Sequence, residues 1–155
     1  MTLHIDEDRI EKQIELKAPR SIVWRALTDH REFSEWFRVK LESPFAEGQT
    51  SRGQITYPGY EHVRMEVVVQ KLEPEHLFAF TWHPYAIEPG VDYSKEPPTL
   101  VEFRLEEIAG GTLLTVTESG FEKLPPERRA EAFRMNEGGW AEQLQNIERH
   151  VEQAK

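Results

Sequence analysis

Two kinds of hydrophobic pattern alternate along the chain. From Ile10 the even positions Ile10, Ile14 and Leu16 are apolar between charged neighbours, with Lys12 breaking the run. A period of two predicts a strand with one buried face, ending near Lys17. Ala18-Pro19 then starts a helix, because proline suits the first helical position, and Val23, Trp24 and Leu27 give it a buried side. Asp29 followed by Glu32 resembles a capping box, opening a second short helix with Phe33, Trp36 and Phe37. A long region of period-two alternation follows, divided into strands at 39–43, 50–57, 63–73, 76–83, 99–107 and 112–119. Its inward positions are Met65, Val67 and Val69, then Phe78, Phe80 and Trp82, then Val101, Phe103 and Leu105, and last Leu114, Val116 and Glu118. Glu73-Pro74-Glu75 and Ala109-Gly110-Gly111 are turn signals between neighbours. Such short links favour an antiparallel meander.

Beyond Pro125-Pro126 the period changes. Phe133, Trp140, Leu144, Ile147 and Val151 draw one stripe on a 3.6-residue helix that runs to about Gln153. Two features interrupt the stripe. Gly138-Gly139 stands mid-helix beside Trp140, and Asn136 and Gln143 share a face with Gly139. Each interior glycine costs about 1 kcal/mol against alanine. One reading is that this face overlies a cavity, with Trp140 as a wall and the two amides as hydrogen-bonding groups inside. The other is close helix–strand packing at Gly139, with both amides satisfied by backbone. An antiparallel sheet with an apolar face needs a cover, and this helix has a suitable stripe. A curved sheet wrapped on a long helix is the helix-grip arrangement, and it can leave a hollow between the two.

Composition narrows the function. The 155 residues are expected to form one domain, 1–155, with an ordered core at about 9–153 and a frayed, acidic stretch at residues 1–8. There are no cysteines, which removes thiolate nucleophiles, iron–sulfur clusters and Cys-based zinc sites. The net charge of −9 disfavours nucleic acid and anionic membrane surfaces. Arg128-Arg129 reads as a short basic pair on a solvated helix face. No basic-plus-apolar leader or membrane-length apolar run is evident, so a cytoplasmic location is expected. Residues 84–98, PYAIEPGVDYSKEPP, make a long proline-rich connection that is either a functional loop or a surface insertion.

Taken together, these segments resemble a known family. APRSIVWRALTD at 18–29, FSEWF at 33–37, LEPEHLFAFTWH at 72–83, GGTLLTVTESGF at 110–121 and NEGGWAEQLQNIERHV at 136–151 carry the resemblance. They are similar to the SRPBCC (START/Bet v 1-like) superfamily, and within it to the group named for the activator of heat shock protein ninety ATPase. The resemblance implies an α+β helix-grip fold. In that fold a curved seven-stranded antiparallel sheet wraps around a long C-terminal helix, with two short helices after the first strand and an apolar cavity in between. It spans ligand binders, cyclases and chaperone co-regulators, so the site must decide among them.

The chemistry-bearing residues point to binding before catalysis. No G-x-S-x-G, G-x-G-x-x-G or phosphate loop is present, and the six histidines form no H-x-H or H-E-x-x-H pair, so neither metal nor cofactor is expected. Trp36, Phe37, Phe80, Trp82, Phe103, Phe133 and Trp140 are expected to line an apolar pocket with Met65. Tyr57, Tyr60, His62, Tyr85 and Tyr93 would close its mouth. Glu118, Asn136, Gly139 and Gln143 would form its polar end. Glu118 either points into the pocket, reaches water at the strand end, or pairs with an arginine such as Arg134. On the first of these, Glu118→Gln leaves stability unchanged or slightly higher. The leading expectation is non-catalytic binding of a small hydrophobic or aromatic ligand. The alternatives are a cyclase- or hydrolase-type enzyme using Glu118, alone or with His83, as acid or base, or a chaperone co-regulator or other protein-binding module, monomeric or homodimeric.

Overall fold

The computed structural model describes residues 9–153; the expectation for residues 1–8 lies outside them. The chain runs through strand β1 (Arg9–Leu16), helices α1 (Arg20–Thr28) and α2 (His30–Phe37), and strands β2 (Val39–Leu41), β3 (Thr50–Ile55), β4 (Arg64–Glu73), β5 (Leu77–Trp82), β6 (Thr99–Ile108) and β7 (Gly111–Ser119). A 3-10 turn at Phe121–Lys123 leads into helix α3 (Pro126–Gln153). All pairings are antiparallel, in the order β1-β7-β6-β5-β4-β3-β2. This is the helix-grip fold. The expected inward positions of β4, β6 and β7 are all buried, as are Phe78 and Phe80 on β5, whereas Trp82 at the end of β5 is half-buried.

The register explains where the site lies. Phe80 pairs with Val101, and Val101 in turn with Glu118, so the inward residues of β5, β6 and β7 form one row across the sheet. A bulge between Val69 and Lys71 interrupts the pairing of β4 with β5, and bulges bend the strand that carries them. Helix α3 comes closest to β1, α1, α2 and the 3-10 turn. Its second half buries Trp140, Leu144, Ile147 and Val151.

The capping box forms by half. Asp29 Oδ1 accepts from the N–H groups of Arg31 (2.9 Å) and Glu32 (3.3 Å), which caps α2. Burial alone would raise the Asp29 carboxyl, but these two N–H donors and the Arg31 guanidinium outweigh it and hold it below its usual value. Glu32 does not reach back as a box would require. Its carboxylate meets Arg25 and, at 2.9 Å, His150 Nε2, and so ties α2 to the end of α3. Among the described residues no helix is long and apolar enough to cross a membrane.

Candidate functional site

Glu118 ties three elements of the fold to β7. Its side chain is wholly buried, and every polar group around it donates. Oε1 accepts from Trp140 Nε1 at 2.8 Å and Asn136 Nδ2 at 2.9 Å. Oε2 accepts from Trp82 Nε1 at 2.8 Å and Thr99 Oγ1 at 2.6 Å, with Asn136 Nδ2 also at 3.2 Å. The donors come from β5, β6 and α3. An indole N–H can only donate, so the buried Trp140 and half-buried Trp82, facing each other across a sheet–helix gap, share one acceptor. Glu118 neither reaches water nor pairs with Arg134; among the described residues no cation forms an ion pair with it.

In front of this carboxylate lies a cavity of about 460 Å³. Its floor is made by Trp82 of β5, Met65 of β4 and Ile55 of β3. Phe37 from the end of α2 closes one side, and α3 closes another with Asn136, Gly138, Gly139 and Gln143. A Cβ built at Gly138 or Gly139 would have no neighbour within 4 Å. Of the two readings of the glycine pair, close packing therefore has no support. Removing two side chains here opens the helix to the hollow.

The other residues proposed from sequence fall into two groups. Phe37, Tyr57, Met65, Trp82, Asn136, Gly139 and Gln143 stand on the cavity wall, with His83 beside them. Trp36, Phe80, Phe103, Phe133, Glu118 and Trp140 do not. Trp36 turns inward, and its Nε1 donates to Ala26 O at 2.8 Å. Phe80 and Phe103 are fully buried against Phe78 and each other. Phe133 stands edge-on to Phe121 at 5.2 Å. Trp140 is stacked on Trp82 at 5.7 Å and set edge-on to Phe103. The chain has enough rings to fill its core with aromatic pairs, which stabilise one another beyond their buried area. Glu118 is screened from the hollow by the two wall residues it binds, Trp82 and Asn136.

Several wall residues escaped the sequence reading. Met135, Gly138 and Glu142 lie on the cavity wall at helical spacings of three and four, so the periodicity that flagged Asn136 and Gly139 could have found them. Ala86 and Ile87 come from a loop without periodic signal.

That loop, 84–98, is clasped by Arg128, contrary to the expectation of a solvated basic pair. The guanidinium reaches both Glu96 carboxylate oxygens at 2.8–3.1 Å, donates to the carbonyls of Pro84 and Tyr85 at 3.0 Å each, and lies 4.7 Å from the Tyr93 ring centre. Arginine alone among side chains offers five donors in a planar fork that can do this. Asp92 stiffens the same loop by accepting from the Ser94 hydroxyl and N–H, which hold its carboxyl below the usual value. Tyr85 joins the cavity wall at a left-handed φ of 50°. Burial, and then the neighbouring Glu131 carboxylate, push its phenol above the ordinary value, so it remains an O–H at neutral pH. Arg128→Ala is expected to cost about 2 kcal/mol, as hydrogen bonds to charged groups do. It should also expose 84–98 to protease, while Arg128→Lys recovers part of both losses. Limited proteolysis alongside urea denaturation checks this, and a loop as resistant as the parent's would remove the clasp.

Comparisons with known proteins agree with this architecture. Residues 17–152 match the family model described as Activator of Hsp90 ATPase homolog 1-like protein, and the chain belongs to that family. No curated protein matches the chain. Among solved structures, protein MLL2253 from Mesorhizobium loti superposes with a TM-score of 0.75 at 22% identity, covering 95% of this chain and 98% of its own. DynU16, from the dynemicin biosynthetic locus, gives 0.72 at 26% identity over 96% of this chain and 48% of its own. The Aha1 dimer from Colwellia psychrerythraea gives 0.68 at 18% identity over 92% and 95%.

Proposed function

We propose that this family member binds a small apolar or aromatic molecule in the cavity between β3–β5, the 84–98 loop and the first half of α3, without catalysing a reaction. The observation that carries this reading is the glycine pair at 138–139, which opens α3 onto a hollow of about 460 Å³. Small-molecule sites are commonly of this size, apolar with a few placed polar groups. The relative in a biosynthetic locus is in keeping with a small-molecule ligand. Acid–base chemistry by Glu118 finds no support, because its oxygens are fully engaged and screened from the cavity. With Tyr85, Ala86 and Ile87 in the wall, the clasped loop is read as a lid.

Thermal-shift measurements with neutral aromatic compounds and with nucleotides test the assignment. Stabilisation is expected from the aromatic set. Stabilisation by nucleotides alone would overturn it, since the wall has no phosphate-binding loop and the net charge is −9.

A further inference from the structure

The orientation of the Asn136 amide is fixed by chemistry. Both Glu118 oxygens lie within 3.2 Å of Nδ2. Turning the amide over would set Oδ1 against two oxygens that can only accept. Asn136 therefore presents Oδ1 as its remaining polar atom, and Oδ1 has no hydrogen-bond partner among the described residues although Asn136 is part of the cavity wall. The neighbouring polar groups differ. Gln143 is engaged at both ends, donating one N–H to Phe37 O at 3.4 Å and accepting from Asn146 Nδ2 at 3.0 Å. His83 faces the Glu96 carbonyl with Nε2 at 3.0 Å. A carbonyl only accepts, so Nε2 carries the hydrogen of this bond. Asn136 Oδ1 is thus a free acceptor at the wall, which also carries the Glu142 carboxylate, itself accepting from the Tyr57 hydroxyl at 3.3 Å. Arg134 stands there too, with no ion pair among the described residues.

We propose that the cavity selects a flat aromatic molecule bearing a neutral hydroxyl group, whose O–H donates to Asn136 Oδ1. A hydroxyl satisfies this acceptor with its one O–H, and because Arg64 and Arg134 on the wall are matched in number by Glu66 and Glu142, a neutral group fits it. Trp82 and Phe37 supply ring faces, and the side-chain-free surface at Gly138 and Gly139 leaves room for a planar body. Glu118 is a positioning residue in this arrangement: it touches no ligand and sets which way the amide points.

The inference rests on the ligand-binding reading above, and the experiment separates the two. Binding of 2-naphthol, 2-methoxynaphthalene and naphthalene to the unaltered protein is measured by tryptophan fluorescence. The naphthol should bind about tenfold more tightly than its methyl ether, the usual scale of one hydrogen bond. In Asn136→Leu that preference should vanish, read as the ratio of naphthol to ether affinity within the variant. Should the variant not fold, side-chain amide NMR of the unaltered protein decides: the Asn136 Nδ2 signals shift further with naphthol than with the ether, which moves them by its ring current alone. Equal binding of naphthol and ether overturns the hydroxyl selectivity and leaves the cavity reading standing. A preference that survives in Asn136→Leu, or an Asn136 signal that shifts no further with naphthol than with the ether, overturns the assignment to Asn136. No binding of any of the three overturns both readings.

Discussion

Glu118→Gln is expected to destabilise the protein by about 1–3 kcal/mol, the cost of leaving one buried donor without an acceptor. Glutamine keeps a single acceptor oxygen. If that oxygen takes the Trp140 side, the new amide nitrogen faces Trp82 Nε1 and Thr99 Oγ1; if it takes the other side, it faces Trp140 Nε1. Thr99 can turn its hydroxyl round and Asn136 can turn its amide, because each has both a donor and an acceptor. An indole cannot, so either way one tryptophan loses its partner. Glu118→Ala orphans both indoles at once and should cost about 2–6 kcal/mol, twice the scale for one donor. This reverses the sign expected for an inward carboxylate taken on its own, where removing the charge is neutral or helpful. Urea denaturation of the parent and both variants is the check. A glutamine variant as stable as the parent would show that the four donors do not depend on this acceptor. Tryptophan emission offers a second view, since only loss of the bonds at Trp82 and Trp140 should move it.

How much of this was legible follows from what each signal encodes. Period-two alternation reports which side of a strand is buried, and it placed Leu114, Val116 and Glu118 on one buried face. It says nothing about what an inward glutamate meets there. That depends on Trp82, Thr99 and the α3 pair Asn136 and Trp140, which arrive from three elements distant in sequence. The helix stripe gave α3 its extent and its core side, and the glycine pair marked the opening. Apolarity alone, however, does not separate a ring in the core from a ring on a wall. Phe80 and Phe103 pack against other aromatics, while Phe37 and Trp82 keep a face to the hollow, and the difference is one of register and strand end. Arg128 departs from the solvated face its sequence predicts for a related reason. A basic residue in the first turn of a helix looks solvated until Glu96, 32 residues earlier in the 84–98 loop, folds onto it.

Gly139→Leu should give a protein at least as stable as the parent that has lost its ligand. Replacing an interior helical glycine gains about 0.5–1 kcal/mol of backbone entropy, and nothing lies within 4 Å of the position its Cβ would take. The leucine side chain then projects into the space that a ring would fill, so affinity should fall by about tenfold or more, or at least 1.4 kcal/mol. If the hollow were in fact a tight contact, overpacking would instead cost about 1–3 kcal/mol. The sign of the stability change thus separates the two. Gly138 also stands on the wall with open space around it, so it cannot serve as the control. Glu137 is exposed and absent from the wall, so Glu137→Ala reports helix propensity alone and should leave binding untouched. Gly138→Ala should gain the same fraction of a kcal/mol as any helical glycine while adding only a methyl to the hollow, so its affinity should lie between the control and Gly139→Leu. A Gly139→Leu protein weakened by several kcal/mol would mean that α3 packs closely here, and the case for a ligand beneath it would fall with the cavity.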